Sequence, residues 1–289
     1  MNETVDVSVV IATRGERPDA LARCLEAVDH GAVRPREVIV VDQSGASGGG
    51  GGRSFPVHVI TSGPGLSRGR NAGAAAAACE LVAVTDDDCV PDAHWLQAAV
   101  DAFGSEAEIA AVCGAVLPLP DETGLLVPVS SRTSPQAMTA TSSPAPWRLG
   151  SGGNIVISRM WLTRIGGWDE RLGAGSPGLA GEDVDLLHRL LRAGGPIRYE
   201  PAAAVLHEQK LPGERRTRRR GYGFGVGAAC ALWLRTGDAS GLLVLITWIA
   251  LRLRLLASAC ARARWPAAAD EVRVLRGTIA GTRHGLRAR

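Results

Sequence analysis

Four short apolar runs, each followed by a turn or a helical pattern, constrain the fold more than any other feature of the sequence. They read VDVSVVIA (5–12), EVIVVD (37–42), VHVIT (57–61) and LVAVT (81–85). Runs this continuous are typical of strands that are covered on both faces. Helical patterns near 18–29 and 65–80 follow the first and third runs, and the glycine-rich stretch 45–54 predicts a flexible loop. Because helical crossovers connect parallel strands, the pattern predicts a doubly wound, mostly parallel α/β sheet with helices on both faces.

The second half of the chain has fewer readable elements. Strands are predicted at 109–119 and 151–159, and a bent strand or strand pair at 197–208. Residues 181–195 form the clearest helical pattern, with acidic residues at the start and two glycines at the end. The segment 120–150 is rich in Pro, Ser and Thr and predicts a mobile loop.

Polar side chains stand at the ends of several predicted strands. Thr13 follows the first strand, Asp42 ends the second, and Asp86, Asp87 and Asp88 follow the fourth. Open α/β sheets bind ligands outside the carboxyl ends of their strands. These positions therefore predict a binding site along one edge of the sheet.

The three consecutive aspartates need a positive partner, because adjacent like charges repel. Carboxylates two residues apart can hold a divalent cation together with a ligand's phosphates, since Mg²⁺ and Mn²⁺ prefer hard oxygen donors. An acidic turn that caps a helix beginning at Pro91 is the alternative. The trio by itself leaves both interpretations open.

Charge is distributed unevenly along the chain. Residues 210–289 contain 16 Lys or Arg and 4 Asp or Glu, whereas the first 209 residues contain 16 and 25. The basic tail predicts either an anionic partner, such as membrane headgroups, or a solvated arginine-rich surface. It also contains ASGLLVLITWIAL (239–251), which is shorter than the roughly 20 residues of a bilayer-spanning helix. A helix in the membrane interface and a helix packed on the domain both remain open.

The amino-terminal sequence MNETVDVSVV is acidic and lacks the basic region of a signal peptide. The six cysteines show neither a CxxC pair nor the spacing of zinc ligands. We therefore expect a cytoplasmic protein with reduced thiols, with the inner face of the membrane as a candidate location.

Seven segments occur in an order that resembles the family 2 glycosyltransferases over residues 5–210. They are VSVVIATRGERPDALARCLEAV, EVIVVDQSG, LSRGRNAGAAAA, AVTDDDCVPD, SGGNIVISR, GGWDERL and GEDVDLLHRLLRAG. The resemblance implies the GT-A fold and a nucleotide-diphospho-sugar donor. It implies a donor-binding half at 1–115 and an acceptor-binding and catalytic half at 116–210, and the composition of the tail predicts a helical, basic extension at 211–289.

The resemblance implies a donor site at the strand ends. Thr13 and Arg14 would line the nucleotide pocket, and Asp42 would accept a hydrogen bond from the base. Arg70 and Asn71 match the family's positions for base and ribose, with capping of the following helix as the alternative for this turn.

The resemblance also implies a metal site for Mn²⁺ or Mg²⁺. Asp86 and Asp88 match the two ends of the family's DxD motif, with Asp88 as the metal ligand and Asp87 in a supporting role at the nucleotide sugar. His207 resembles the histidine that completes the metal coordination in related enzymes. A structural histidine is the alternative.

GEDVD resembles the acidic pair that lies beside the acceptor. Asp183 would be the general base that takes the acceptor's proton, and Glu182 would bind an acceptor hydroxyl; the reverse assignment stays open. A cluster of acidic residues at a helix amino terminus is the structural alternative.

Two further segments are implied to touch the sugars. Gly153 and Asn154 would form the turn beneath the donor sugar, and Trp168 would offer the acceptor an aromatic platform. Packing is the alternative for both. Arg216 and Arg219 would belong to a basic lid that closes over the donor, with the glycines of YGFGVG (222–227) as hinges.

The sequence thus predicts a metal-dependent, inverting glycosyltransferase with a carbohydrate or lipid-linked acceptor, such as a cell-envelope glycan. Transfer to a small secondary metabolite and an inactive module that only binds nucleotide sugar are the alternatives. No nucleic-acid partner is expected, the basic tail is a candidate contact with the membrane, and the oligomeric state is left open.

Overall fold

The structure is a computed structural model that describes residues 3–45, 53–105, 108–128 and 131–288. Most of the glycine-rich stretch predicted as a flexible loop lies outside these residues. The strands are β1 Thr4–Thr13, β2 Arg34–Asp42, β3 Val57–Thr61, β4 Leu81–Asp86, β5 Cys89–Pro91, β6 Ala111–Pro118, β7 Met138–Ala140, β8 Asn154–Ser158 and β9 Ile197–His207. The α-helices are α1 Pro18–Asp29, α2 Leu66–Ala76, α3 Trp95–Ser105, α4 Arg159–Arg164, α5 Glu182–Arg192, α6 Pro212–Arg235, α7 Ser240–Ala261 and α8 Trp265–Arg287.

The described strands form one mixed sheet in the order β3-β2-β1-β4-β8-β6-β9-β5, with β7 paired to β9. The four amino-terminal strands are parallel, as the alternation of strands and helices predicts. Beyond β4 the direction changes, because β8 runs antiparallel to both β4 and β6. The sheet reverses at β4, which is also where the three aspartates begin.

Side chains alternate between the two faces of the sheet and feed two apolar layers. In β1, Val10 and Ala12 belong to one layer, whereas Val9 and Ile11 belong to the other. This period of two is the geometry of an extended strand, and it explains why the strand sequences are apolar throughout. Helix α5 contributes leucines to the first layer, and α1 and α3 pack on the second.

The register of the parallel strands brings the predicted strand-end residues together. Thr13 is paired with Asp42 across β1 and β2, and Ala12 is paired with Asp86 across β1 and β4. Neighbouring strands in a sheet lie about 4.8 Å apart. The carboxyl ends of three adjacent strands therefore meet at one edge, as the sequence predicts.

The segment predicted as a mobile loop at 120–150 is partly ordered. It contains β7 and a short 3₁₀-helix at Pro146–Arg148. Isolated bridges also join Val116 to Arg132 and Val127 to Lys210. The composition of the segment predicted no strand, because these pairings depend on β6, on β9 and on the chain beyond β9 rather than on local pattern.

The basic, glycine-rich stretch near 214–227 is helical throughout, so the prediction of glycine hinges is wrong. Helix α6 runs without interruption through Gly223 and Gly227 and packs along α8. A Cβ at Gly223 would overlap the Val274 backbone, and one at Gly227 would overlap the Thr278 backbone. Glycine is needed here because two helix backbones lie in contact, not because the chain bends.

Within the described part of the chain, one helix is long and apolar enough to cross a membrane by length and composition. This is α7, with a mean hydropathy of 1.9 over its most apolar window, of which 17% is buried. Its inner side packs through Val244, Trp248 and Ala259.

Candidate functional site

The aspartate trio occupies a tight turn between β4 and β5. Asp86 is the last residue of β4, and β5 begins at Cys89. The Thr13 hydroxyl donates a hydrogen bond of 2.7 Å to Asp87 Oδ2. Burial raises the pKa of Asp87, and this hydrogen bond and a nearby arginine act in the opposite direction. Thr13 thus ties the end of β1 to the turn.

Arg17 is a positive partner of the aspartate turn that the sequence did not predict, because a divalent cation was expected there. Arg17 Nη2 lies 2.5 Å from Asp87 Oδ1, and its Nη1 donates to Asp88. Arg14 instead lies 66% exposed and pairs with Glu16. The available signal was topological: β1 and β4 are neighbours, so an arginine in the loop after β1 can reach the end of β4. The predicted pocket role of Arg14 stays a prediction.

Lys210, the only lysine of the chain, is a second cation that the sequence reasoning did not place in the site. Its Nζ lies 3.3 Å from Asp88 Oδ2 and 2.7 Å from Glu208 Oε2. Burial alone would raise the pKa of Asp88, but His207, Arg17 and Lys210 outweigh it and hold that pKa below its usual value. Asp88 is therefore an ionised, buried carboxylate.

The residues at the turn fit a divalent cation. Ligand atoms of Asp86, Asp88, Cys89 and His207 all lie within 4.8 Å of one another. Burial raises the pKa of the Cys89 thiol well above the usual value, and Mg²⁺ and Mn²⁺ prefer hard oxygen donors to sulfur. Two carboxylates and an imidazole remain, a donor set that suits Mn²⁺ or Mg²⁺.

The orientation of His207 supports this fit. Its Nδ1 lies 2.7 Å from the Glu208 carbonyl oxygen, which can only accept, so Nδ1 carries the proton. Nε2 lies on the other side of the ring, 3.6 Å from Asp88 Oδ1, and would be the ligand atom. A backbone carbonyl that fixes the tautomer in this way is typical of metal-ligating histidines.

Arg70 connects the aspartate turn to the acidic start of α5. The guanidinium is 1% exposed, with Nη2 2.8 Å from Asp86 Oδ1 and Nη1 3.2 Å from Glu182 Oε1. The two glycines of the 152–153 turn make room for it. A Cβ at Gly152 would lie 2.6 Å from Arg70 Nη1, and one at Gly153 would lie 2.7 Å from Asp86 Oδ2.

Glu182 and Asp183 form the first turn of α5 and differ in their surroundings. Burial is the main cause that raises the pKa of both side chains, and for Glu182 the raised value is about 7. Glu182 is paired with Arg70, whereas the half-buried Asp183 accepts a 2.8 Å hydrogen bond from the Val184 N–H. Asp183 is the carboxylate of the pair without an ion pair among the described residues.

The start of α5 is fixed by its contact with α6. Gly181 has a φ of 84°, in the left-handed region that favours glycine. Its backbone touches Gly225, and a Cβ on either residue would overlap the other. Helix α6 therefore supports the backbone that precedes the acidic pair.

Asp42 keeps an oxygen available at the predicted nucleotide position. Its Oδ1 accepts from the Ser44 N–H and hydroxyl, whereas its Oδ2 is buried without a hydrogen-bond partner among the described residues. A buried acceptor of this kind is costly unless a ligand donates to it. The geometry fits a donor group on a base, which remains a prediction.

Asn154, another predicted site residue, has a structural role. Asn154 is 1% exposed, donates to the Ala115 and Ala203 carbonyls and accepts from Trp95 Nε1. Its side-chain hydrogen-bonding groups are occupied, which fits the packing alternative, and its predicted contact with the donor sugar is not tested. It fixes the crossing of the central strands.

Trp168 is also a core residue, which fits the packing alternative, and its predicted contact with the acceptor is not tested. The side chain is 2% exposed and packs in the apolar layer beneath α5. Its backbone is held by Asn71, which donates to the Trp168 carbonyl at 2.9 Å and accepts from its N–H at 2.8 Å. Asn71 lies inside α2 and holds this backbone, a structural role that differs from the helix capping left open as its alternative. Its predicted nucleotide contact is not tested.

The candidate lid residues lie in helix α6, away from a hinged loop. Arg219 pairs with Glu271 of α8, and Arg216 is exposed. Any role of these residues in closing over a donor stays a prediction.

Comparisons with known proteins identify the domain. Residues 8–166, more than half of the chain, match the family model described as glycosyl transferase family 2. A pre-mycofactocin glycosyltransferase of Mycobacterium tuberculosis is 29% identical over 266 residues, 84% of this chain and 52% of the relative. The chain therefore spans about half the length of that curated relative.

A second relative and a solved structure are also glycosyltransferases, in agreement with the family match. The glucosyl-dolichyl phosphate glucuronosyltransferase of Haloferax volcanii is 26% identical over 70% of this chain and 69% of its own. The mannosyltransferase PcManGT of Pyrobaculum calidifontis, solved with GDP-Man and Mn²⁺, superposes with a TM-score of 0.59 and 17% identity. The superposition covers 96% of this chain and 86% of the mannosyltransferase chain, which confirms the predicted fold. The chain belongs to glycosyl transferase family 2.

Proposed function

We propose that the protein is a metal-dependent, inverting glycosyltransferase that moves a sugar from a nucleotide-diphospho-sugar to an acceptor hydroxyl. The observation that carries the proposal is that two acidic groups lie close together. Arg70 contacts both Asp86 of the aspartate turn and Glu182 of the α5 pair. A cation-binding turn and a protonatable carboxylate pair at the same end of one sheet are the two parts that this reaction requires.

The donor half of the site supports nucleotide binding. The unpartnered Oδ2 of Asp42 would accept a hydrogen bond from the base, and Asp86 would accept from a ribose or sugar hydroxyl. Asp88 and His207 would hold Mn²⁺ or Mg²⁺. When bound, that ion supplies positive charge next to the departing diphosphate. We assign residues 1–115 to this half and 116–210 to the acceptor half, with 211–289 as a helical extension.

Asp183 would be the general base. Its carboxylate is free of the ion pair that ties Glu182 to Arg70, and its raised pKa brings its basicity towards that of a working catalyst. As it takes the acceptor's proton, the acceptor oxygen attacks the anomeric carbon opposite the departing diphosphate, so the configuration inverts. Glu182 would hold a neighbouring acceptor hydroxyl while Arg70 keeps it in place.

We propose a lipid-linked or cell-envelope glycan as the acceptor, at the cytoplasmic face of the membrane. The name of the Haloferax relative and the apolar surface of α7 support this choice. A small metabolite is the second candidate, which the name of the Mycobacterium relative favours. Release of nucleotide diphosphate in the presence of a lipid extract or of a water-soluble metabolite fraction separates the two.

A thermal-shift panel tests donor and metal binding. UDP, GDP and dTDP are each added with and without Mn²⁺ to the wild type and to Asp88→Ala. A ligand that binds only the native state at a hundredfold excess over Kd stabilises it by about 2.7 kcal/mol. One nucleotide should raise the wild-type melting temperature only with Mn²⁺, and Asp88→Ala should lose that shift.

Turnover separates an enzyme from an inactive binding module. A nucleotide- and metal-dependent shift together with sugar transfer supports the proposal. A shift without transfer to any acceptor fraction would instead favour the binding module, and the absence of any shift would contradict the assigned donor site.

A further inference from the structure

The outer face of α7 is an apolar surface. Leu242, Leu243, Ile246 and Leu253 are exposed by 52%, 56%, 55% and 51%. Leu242, Ile246 and Leu253 recur at helical spacing and so lie along one side of the helix. Beyond the helix end, Trp265 at the start of α8 is 65% exposed. We call this set, with the turn between the two helices, the α7 surface. Scattered exposed leucines are ordinary, but a continuous row of them along a helix indicates a contact site.

The surroundings of the α7 surface are strongly basic. The C-terminal helices bury two of their acidic residues in ion pairs: Asp270 pairs with Arg215 and Arg273, and Glu271 with Arg219 and Arg252. In the described part of 210–288, the exposed charges are Arg216, Arg218, Arg220, Arg235, Arg254, Arg262, Arg264, Arg276, Arg283, Arg287 and a single acid, Glu214. Arg254, Arg262 and Arg264 border the apolar row itself.

We propose that the α7 surface docks on an anionic lipid bilayer, with α7 lying in the interface. Exposed leucines and isoleucine would enter the acyl boundary, Trp265 would sit at headgroup level, and the flanking arginines would meet the lipid phosphates. The surface combines the apolar and the cationic parts that such a contact needs.

Three contacts keep α7 on the protein and oppose a transmembrane position. Trp248 is fully buried and donates to the Thr278 hydroxyl at 2.9 Å. Arg252 stacks on the Trp248 ring at 3.7 Å and lies 3.5 Å from Glu271. A spanning α7 would have to leave these partners and take Arg252 and Arg254 into hydrocarbon, which is costly.

Charge also decides against a second copy of the chain as the occupant. A two-fold symmetric interface places the same patch on both sides. Arg254, Arg262 and Arg264 of both copies would then be brought to an interface that has no Asp or Glu between residues 240 and 265 to pair with them. An anionic bilayer covers the apolar row and offsets these charges together.

Vesicle binding tests the proposal with the full chain. Phosphatidylcholine vesicles with and without phosphatidylglycerol are floated with the wild type at low and high salt. The protein should float with the anionic vesicles and lose most of this binding at high salt. Leu242→Ser with Ile246→Ser should lower the partition coefficient about tenfold, and so should Arg262→Gln with Arg264→Gln.

Matched controls carry the same changes outside the C-terminal helices. Leu125→Ser with Met160→Ser removes two exposed apolar side chains, and Arg14→Gln with Arg36→Gln removes two exposed arginines. Both controls should bind like the wild type. Wild-type protein that ignores anionic vesicles, or C-terminal variants that bind unchanged, would overturn the proposal, as would a dimer that Leu242→Ser with Ile246→Ser converts to monomer.

Membrane docking by the α7 surface rests on one part of the proposed function, namely transfer to an acceptor at the membrane. Vesicle flotation needs neither donor nor acceptor. If the protein shows the thermal shift with nucleotide but does not float with vesicles, the proposed donor site stands and only the docking proposal is contradicted.

A separate observation concerns the cations at the aspartate turn. Arg17 and Lys210 both contact Asp88, a carboxylate of the group that fits a divalent ion, and Arg17 also contacts the neighbouring Asp87. Arg17 is 36% exposed and extends from the loop before α1, where it can withdraw without disturbing the core. We infer that Arg17 competes with the metal for Asp88 and weakens metal binding until a nucleotide diphosphate arrives to accept the displaced guanidinium.

Metal binding measured without turnover tests this inference. Free Mn²⁺ is followed by electron paramagnetic resonance during titration of the wild type, Arg17→Gln and Arg36→Gln. Arg36 is a matched control because it also pairs with an aspartate, Asp6, at the far end of β1. Without nucleotide, Arg17→Gln should bind Mn²⁺ at least about fivefold more tightly than the wild type, since a competing charge is gone. Arg36→Gln should not differ.

Nucleotide separates the inference from the proposed function. With the diphosphate that gives the thermal shift, the wild type and Arg17→Gln should converge in Mn²⁺ affinity. Equal or weaker nucleotide-free binding by Arg17→Gln overturns the inference, even where the wild type with nucleotide binds Mn²⁺ as proposed.

Discussion

The Arg70 guanidinium donates to the Glu182 carboxylate across 3.2 Å, although the two residues are 112 positions apart in the chain. Arg70 simultaneously holds Asp86, so one buried cation fixes the spacing between the aspartate turn and the start of α5. The distance between the proposed donor and acceptor sites is thereby set by a side chain rather than by a loop.

Replacing Arg70 with Met should destabilise the protein by about 3–5 kcal/mol, because it leaves buried carboxylates without their cation. Arg68→Met is the control, since Arg68 is half-exposed and pairs with the exposed Glu170. That surface pair should contribute less than about 1 kcal/mol. Urea denaturation of both variants measures the difference, and equal losses would contradict the central role of Arg70.

The contribution of Glu182 to the free energy of unfolding should fall as the pH rises towards neutrality. Burial raises the pKa of Glu182 from 4.5 to about 7, so the folded state holds a proton that the unfolded state releases. The contribution is present below about pH 4.5 and is lost as the pH rises through about 7, at no more than about 1.4 kcal/mol per pH unit. Glu182→Gln should flatten the decline of the unfolding free energy between these values, whereas the exposed Glu122→Gln should leave it unchanged.

Asp183→Asn should lower the rate of sugar transfer by a factor of about 10²–10⁴, the usual contribution of a general base. Because the substitution keeps size and hydrogen-bonding capacity, the metal-dependent nucleotide shift should remain. Turnover is measured beside the thermal shift, with Glu182→Gln for comparison. A larger loss of turnover in Glu182→Gln would exchange the two assigned roles.

His207→Ala should raise the Mn²⁺ concentration needed for the half-maximal nucleotide shift by at least about tenfold, since one proposed ligand is removed. His94, exposed before α3, is the matched control. If His94→Ala and His207→Ala require the same Mn²⁺ concentration, His207 is structural.

Gly281→Ala should destabilise the C-terminal helices by several kcal/mol, because its Cβ would overlap the Phe224 carbonyl of α6. Gly213→Ala, in the first turn of α6, meets no atom within 4 Å and should be neutral or stabilising by up to about 1 kcal/mol. Thermal unfolding of the two variants compares a glycine required by close packing with one that is not.

The strand ends could be predicted from the sequence because parallel topology alone brings them together. Continuous apolar runs identify β1, β2 and β4, and the polar residue after each run must then lie at the common edge. The positions of Thr13, Asp42 and Asp86 follow from this without knowledge of any long-range contact.

The contacts around those residues could not be predicted, because they depend on which side chains other elements bring in. Arg17 and Arg14 share one loop and differ only in direction, and Lys210 reaches Asp88 through the turn after β9. Trp168 follows two glycines that resemble an exposed turn, yet the ring packs inward. Glycine content likewise predicts a hinge in α6, whereas the neighbouring α8 backbone is what requires the glycines.

The contact between Gly181 and Gly225 makes the chemistry sensitive to the register of a distant helix. Each residue along an α-helix is rotated by about 100° from the one before it. Deleting a single residue between Pro212 and Gly225 would place a residue with a side chain opposite Gly181 in place of Gly225. That side chain would push the backbone before Asp183 away from α6. Substitutions on the surface of α6 should be tolerated, whereas insertions and deletions in its first half should not, so the length of this half helps to fix the position of Asp183.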